Sequence, residues 1–363
     1  MEQQLPPSTP VWRILDAAAN RTAEGLRVAE DYVRFALDDA YLMREWKSLR
    51  HDLTSLVGRL ELQRRNSARS TLGDVGTQQT LPSETARGSL ADVFAASVSR
   101  AQQAIRTLEE YSKLINSEDI AGGQIAGEFE SLRYRSYTLA AAVVTTTASR
   151  DRLADAPFYV ILDGQDSAEA FESLAETIYT SGAGIIQLRD KSLNDRDLLD
   201  RAQRLSSLAR RLERLAIVND RADIAVASGA QGVHVGQDEL TVKDVRAVVG
   251  PDTLVGVSTH SIEQARKAVL DGANYIGAGP TFRSQTKSFS EFPGLDFLRQ
   301  VAAEIRLPAY AIGGIKLDSL GKVLATGVTR VVASGAVVSS NKPANVVRQF
   351  CEMLQQATAE TAT

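Results

Sequence analysis

A (β/α)8 TIM barrel preceded by an all-α bundle is the fold this chain predicts, and three observations predict it. From Phe158 onward, short apolar runs alternate with amphipathic stretches of helix length. Before about residue 150, glycine and β-branched runs are scarce and the apolar period is helical. That first part also repeats itself. The expected domains are therefore residues 1–150 and 151–363. A chain of 363 residues, 44% hydrophobic and 24% charged, can bury one large core or two ordinary ones.

In RILDAAANRTAEGLRVAEDYVRFAL, Ile14, Leu15, Ala18, Leu26, Ala29 and Val33 build one apolar stripe. Asn20-Arg21-x-x-Glu24-Gly25-Leu26-Arg27-x-x-Glu30-Asp31-Tyr32 returns as Ser99-Arg100-x-x-Gln103-Ala104-Ile105-Arg106-x-x-Glu109-Glu110-Tyr111. A second piece follows each copy, EWKSLR ending at Arg50 and EFESLR ending at Arg133. Two similar helical hairpins predict a four-helix bundle with approximate two-fold symmetry. The polar, glycine-containing segment between them, NSARSTLGDVGTQQTLPSETARGS, reads as a long loop. Arg21, Arg27, Arg50, Arg100, Arg106 and Arg133 fall at matching places in the two copies. Such a set is a solvated charged face, or ion pairs with Glu24, Glu30 and Glu109 across the pseudo-two-fold, or a phosphate cleft. In the last case Gly73-Asp74-x-Gly76-Thr77 is a nucleotide or metal loop, although it is no Walker motif.

The eight expected strands are FYVILDG (158–164), GIIQLRDK (184–191), LAIVND (215–220), GVHVG (232–236), LVGVSTH (254–260), YIGAGP (275–280), AYAIGG (309–314) and RVVASGAV (330–337). Helix-length pieces such as RDLLDRAQRLSSLARRLE separate them, and eight such units fit a closed barrel. A doubly wound sheet is the alternative, since one sequence does not show closure.

The polar residues gather at the C-terminal ends of these strands, which a barrel brings to one mouth. Gln187, Arg189 and Lys191 stand on alternate positions and share a face. Burying them without a partner is costly, so the partner is anionic. Asp220 ends the third strand and Gln237-Asp238-Glu239 follows the fourth. Carboxylates on neighbouring strand ends suit Mg²⁺, although Asp220 also reads as a cap for the next helix. Ser258 ends the fifth strand, where Ser-Thr equally suits a helix cap. After the sixth strand, Arg283 to Lys287 is either a solvated loop or a cover over the mouth. Gly313-Gly314 and Ser334-Gly335 end the last two strands, where backbone amides near helix N-termini form a phosphate site.

Composition narrows the function classes. A net charge of −4 gives no general reason to expect nucleic acid or a membrane surface as partner. The single cysteine, Cys351, excludes an internal disulfide framework and a cysteine-rich zinc site. His51, His234 and His260 lack HExxH-like spacing. No apolar run has the length of a membrane span, and MEQQLPPSTP lacks the regions of a signal peptide, so a cytoplasmic enzyme is expected.

GIIQLRDK, IVND, GVHVGQDEL, GVSTH, GAGPTFRSQTK, AIGGI and VVASGAV, in this order, resemble the thiamine phosphate synthase family over roughly residues 155–355. The resemblance implies condensation of hydroxymethylpyrimidine diphosphate with a thiazole phosphate, giving thiamine phosphate and pyrophosphate. It implies that Gln187, Arg189, Lys191 and Asn219 hold the diphosphate, with Leu188 and Asp190 in the same binding segment. It places Mg²⁺ on Asp220 and on the acid after Gln237. The family has Asp where this chain has Glu239, so Asp238 and Glu239 both stand as second ligand, with Glu239 favoured because it keeps the family's spacing from Asp220. Ser258 is then assigned to the pyrimidine or its leaving group and Lys287 to the pyrophosphate. Ser284, Gln285 and Thr286 meet the thiazole carboxylate or ring, and Gly314, Ser334 and Gly335 its phosphate. Arg189, Lys191, Ser258 and Lys287 are the expected catalytic set. RILDAAANRTAEGLRVAEDYVRF, LGDVGT and ESLRYRSYTL are similar to the helical domain often fused to this synthase, which is associated with ATP-dependent phosphorylation of hydroxymethylpyrimidine monophosphate. A docking or oligomerisation module is the alternative for that domain, and a non-synthase regulatory relative for the barrel.

Overall fold

The computed structural model describes residues 9–60, 62–69, 86–117, 120–282 and 293–361. They fall into two compact units, Met1–Val143 and Val144–Thr363. This division and the one expected at residue 150 both lie within the helix Gly122–Arg152, where no turn residue marks a boundary.

The first unit is helical: α1 (Thr9–Tyr32), α2 (Ala40–Gly58), the short α3 (Leu62–Ala68), α4 (Leu90–Ser112) and α5 (Gly122–Arg152). α1 runs into a π-helical turn, Val33–Leu37, which ends where Asp38 turns left-handed at φ 57°. Asp39 then caps α2 by accepting the Leu42 N–H at 2.8 Å, and Ser89 caps α4 through the Asp92 N–H at 3.1 Å. Of the expected stripe, Leu15, Ala18, Leu26, Ala29 and Val33 are buried. They share the core with Trp46, which meets Phe94 edge-on at 5.9 Å. Gly25 lets α1 and α4 approach closely, because a Cβ there would lie 2.7 Å from the Ser97 carbonyl oxygen. Arg135 on α5 bonds Asp52 on α2 at 2.6 Å, so α2 and α5 are neighbours as well.

The second unit is a closed, all-parallel barrel of eight strands. They are β1 (Phe158–Leu162), β2 (Ile185–Leu188), β3 (Leu215–Asn219), β4 (Gly232–Val235), β5 (Leu254–Thr259), β6 (Tyr275–Ala278), β7 (Ala309–Ala311) and β8 (Val331–Ala333). Each pairs with the next, and β8 closes on β1 with Val331 opposite Phe158. Closure removes the doubly wound alternative. The eighth strand is shorter than its apolar run suggests: it ends at Ala333, and Gly335–Val338 is a short helix. A buried strand and a buried helical turn carry the same hydrophobicity, so the run alone does not separate them.

Inside the barrel Tyr159, Tyr275 and Tyr310 pack with Ile185, Ile217, Leu254 and Val332. The Tyr159 and Tyr275 hydroxyls lie 3.2 Å apart, and Tyr310 donates to the Ala156 carbonyl at 2.8 Å. The rings fit because β5 carries glycine opposite them: a Cβ on Gly256 would lie 2.1 Å from Tyr275 Cζ. This filled layer leaves room for chemistry only at the C-terminal mouth. Among the described residues no helix is long and apolar enough to cross a membrane.

Candidate active site

The ends of β2 to β5 surround a cleft of about 300 Å³ lined by Arg189, Lys191, Asn219, Asp220, His234, Gly236 to Glu239 and Ser258. β2 itself stops at Leu188, but the Arg189 N–H still donates to the Leu162 carbonyl at 2.8 Å, so alternation continues past the strand. Gln187 lies deep on β2, 2% exposed, with Arg189 and Lys191 above it on the same period. Leu188, 1% exposed, and Asp190 alternate to the other side. Burial would raise the Asp190 carboxyl, yet hydrogen bonds from Ser192, Gly164 and Leu193 pull it down to about 2. Its oxygens are taken by the Ser192 hydroxyl at 2.6 Å and the Gly164 N–H at 2.9 Å. Asp190 therefore braces the loop that carries Lys191.

Asp220 sits at φ 60°, with its N–H donated to the His234 carbonyl at 2.8 Å. It is not the cap of the next helix: Arg221 occupies that position, without a side-chain bond. Burial raises the Asp220 carboxyl, and so does the charge of Glu239, against the opposing pull of Lys191 and Arg189. Lys191 Nζ lies 4.0 Å from Asp220 Oδ2. Glu239 folds back over β4, so that a Cβ on Gly236 would meet its Oε2 at 2.3 Å. Asp238 lines the same cleft but is not among the charges that shift Asp220. A carboxyl raised by burial and by a second carboxylate beside it forms a site that favours a bound cation. Among the described residues no third His, Cys, Asp or Glu completes a cluster, which suits an ion that takes its remaining oxygens from phosphate and water.

Ser258 is not a cap either, since Ser261 fills that role through the Gln264 N–H at 3.3 Å. Its Oγ is 3.0 Å from His234 Nε2, and its carbonyl accepts from the Gln237 side chain at 2.5 Å. His234 Nδ1 lies 3.3 Å from the Tyr275 hydroxyl, which links Ser258 to the tyrosine layer. Burial first, and the Arg189 charge second, push His234 down to about 4. Its ring is therefore neutral, with one nitrogen donating and the other accepting. His234 and Gln237 line the cleft, although the motif GVHVGQDEL assigns them no role. The available signal was a polar residue between Val233 and Val235, on the inward period of a buried strand.

At the ends of β7 and β8, Gly313 and Gly314 have φ of 103° and 64°, and Ser334 precedes the short final-strand helix. Thr281 donates its N–H and its hydroxyl to the Ile312 carbonyl at 2.8 and 2.9 Å, tying the chain after β6 to β7. Gly314, Ser334 and Gly335 are exposed there and do not line the cleft between β2 and β5. Ser284, Gln285, Thr286 and Lys287 lie outside the described residues, as does Gly73 to Thr77.

In the helical unit, four of the six repeated arginines are committed to ion pairs. Arg50 meets Glu30 at 2.6 Å and Arg133 meets Glu109 at 2.8 Å, with Arg27 and Arg106 adding to the same acids. Each pair lies within its own hairpin and does not cross the pseudo-two-fold. Among the described residues Glu24 takes part in no ion pair; with Arg21 and Arg100 it lines a cleft of about 570 Å³ between α1 and α4.

Residues 158–337 match the thiamine monophosphate synthase family, and residues 13–142 the ThiD2 family. A thiamine-phosphate synthase of Rhodopirellula baltica is 44% identical over 91% of this chain and 89% of its own length. One of Gloeobacter violaceus is 38% identical over 95% of this chain and 97% of its own. Among solved structures, a thiamine phosphate pyrophosphorylase of Pyrococcus furiosus is 28% identical, with a TM-score of 0.50 over 57% of this chain and 98% of that one. With more than nine-tenths of the chain covered by such relatives, the chain belongs to the thiamine-phosphate synthase family of transferases.

Proposed function

We propose that the barrel mouth joins hydroxymethylpyrimidine diphosphate to thiazole phosphate, and that the cleft between β2 and β5 is where the pyrophosphate departs. The observation that carries this is the convergence of Arg189 and Lys191 with the Asp220–Glu239 carboxylate pair in one cleft. Gln187 and Asn219 orient the pyrimidine diphosphate, while Arg189 and Lys191 take up charge as the bond from the pyrimidine methylene carbon to the pyrophosphate oxygen breaks. The electron pair leaves with pyrophosphate, and the lone pair of the thiazole nitrogen forms the new C–N bond, so no protein nucleophile is required. Asp220 and Glu239 would hold Mg²⁺, which screens the charge of the leaving group. Ser258, oriented by neutral His234, contacts the pyrimidine side of the breaking bond. By resemblance, Lys287 meets the pyrophosphate, Ser284 to Thr286 the thiazole, and the backbone around Gly314, Ser334 and Gly335 its phosphate. Asp190 and Leu188 support that segment.

The helical unit, on the same proposal, uses ATP to phosphorylate hydroxymethylpyrimidine monophosphate and so supplies the barrel, in the cytoplasm. Its support is the ThiD2 match and a pair of arginines, Arg21 and Arg100, that form no ion pair among the described residues. One experiment tests both halves. The full chain receives thiazole phosphate and Mg²⁺ with either the pyrimidine diphosphate, or the monophosphate plus ATP. Thiamine phosphate is expected in both arms. Product in the first arm alone would leave the helical unit as a docking module, and product in neither would make the barrel a non-synthase relative.

A further inference from the structure

We infer that the cleft between α1 and α4 is the phosphate-binding site of the helical unit, with Arg21 and Arg100 as its anion ligands. This deepens, and rests on, the proposal that the unit handles phosphate esters. The lining is built from repeat-related pairs: Arg21 with Arg100, Glu24 with Gln103, and Gly25 with Ala104. The cleft therefore lies on the pseudo-two-fold of the repeat, and each copy contributes one guanidinium. Small residues form its floor, because a Cβ on Gly25 would lie 2.9 Å from that of Ala101, so the long cationic side chains stand on the walls.

The contrast among the six arginines gives this its force. Arg27, Arg50, Arg106 and Arg133 each meet a carboxylate, whereas among the described residues Arg21 and Arg100 form no ion pair. Two like charges facing one cleft repel, and a phosphate accepting from both removes that cost. Glu24 breaks the symmetry, standing where the second copy has neutral Gln103. A lining with two cations and one carboxylate suits a phosphate ester that also brings a hydrogen-bond donor or a chelated cation. A simple anion offers neither.

The test uses the full chain and two probes in separate titrations, hydroxymethylpyrimidine monophosphate and a non-hydrolysable ATP analogue with Mg²⁺. Arg21→Gln and Arg100→Gln should each weaken binding of at least one probe on the order of 10–100-fold, as expected for loss of one charge-assisted contact. Arg21→Lys and Arg100→Lys should recover part of the loss, and added salt should weaken the parent. Arg106→Gln, which removes a half-exposed cation from a Glu109 that keeps Arg133, should bind like the parent. Thermal melts of all variants check folding. If the parent makes pyrimidine diphosphate from ATP and both Gln variants keep its KM, the cleft assignment fails while the kinase proposal stands. If no diphosphate forms but the Gln variants lose a probe that the parent binds, the kinase proposal fails and the cleft stands. A parent that binds neither probe overturns the cleft.

Discussion

The barrel mouth and the helical repeat both concentrate arginines and carboxylates, yet they treat these charges in opposite ways. On β2 a period of two sends Gln187, Arg189 and Lys191 to one side, and the nearest acid, Asp220, belongs to another strand 4.0 Å from Lys191 Nζ. On α1 and α4 the helical period places Arg27 beside Glu30 and Arg106 beside Glu109 on the same turn. Each Glu then collects a second arginine from the partner helix of its hairpin. Strand ends leave charges for a ligand, and neighbouring helix turns neutralise them. A cluster of charged residues therefore suggests a site only after its period is compared with the spacing of its own counter-charges.

The contrast between paired and free charges is tested most strongly by removing Arg133. Glu109 is nearly inaccessible and Arg133 largely so, so Arg133→Ala removes its buried partner, leaves it only the half-exposed Arg106, and should cost about 1.5–3 kcal/mol, as for a lost hydrogen bond to a charged group. Arg27→Ala, which removes a half-exposed cation from a Glu30 that keeps Arg50, should cost no more than about 1 kcal/mol. Both tryptophans, Trp12 and Trp46, lie in the helical unit, so urea unfolding followed by tryptophan fluorescence reports that unit. Equal losses in the two variants would show that the buried pair is not what holds the hairpin.

At the mouth the same kind of deletion should reach rate rather than folding. Arg189→Ala should lower synthase kcat about 10²–10³-fold, the range for loss of one preorganised electrostatic donor. Its denaturation midpoint should move little, since the guanidinium lines a cleft and braces no hairpin. A variant with parental kcat and a shifted midpoint would reverse the assignment.

Most of the barrel was legible because each strand is an apolar run that ends in glycine or a polar residue, and the mouth residues follow from alternation. What escaped depends on contacts between strands. His234 lies in the motif GVHVGQDEL but has no role that the motif names; its role exists because β4 places it between Tyr275 and Ser258. Asp190 stands in the expected binding segment, and its Oδ2 also accepts the Gly164 N–H from the loop after β1, a contact that no motif shows. The repeat was visible, but which arginines were spent on ion pairs required the partner helices: Arg50 is 20 positions from Glu30, and Arg133 is 24 from Glu109. The overrun of the eighth strand shows that hydrophobicity does not mark where a buried chain turns from strand to helix.

Neutral His234 provides a smaller, pH-dependent contrast. Its folded value of about 4 lies below the ordinary 6.5, so beneath pH 6.5 the unfolded chain takes up a proton that the folded ring refuses. The contribution is complete above that pH and is lost as pH falls from 6.5 toward 4, about 2 kcal/mol by pH 5. Urea unfolding monitored by tyrosine fluorescence at pH 7 and pH 5 should show the drop, and His234→Asn should show a smaller one. An identical pH dependence in parent and variant would mean that the ring is not held neutral by the barrel.

The smallest expected effect separates two adjacent carboxylates. Asp238 and Glu239 both line the cleft, but only Glu239 bears on the Asp220 carboxyl, and its Oε2 folds back over Gly236 toward that strand end. Glu239→Gln removes one of two anionic oxygens facing the proposed cation, so the Mg²⁺ concentration for half-maximal synthase rate should rise clearly. Asp238→Asn removes a charge that faces the cleft without coupling to Asp220, and should leave that concentration within about twofold of the parent, as for a screened surface charge. Titrating Mg²⁺ against rate in both variants decides between them. If Asp238→Asn carries the larger shift, the cation is held on the solvent side of the β4 turn, and the carboxylate pair at the mouth must be redrawn around Asp238.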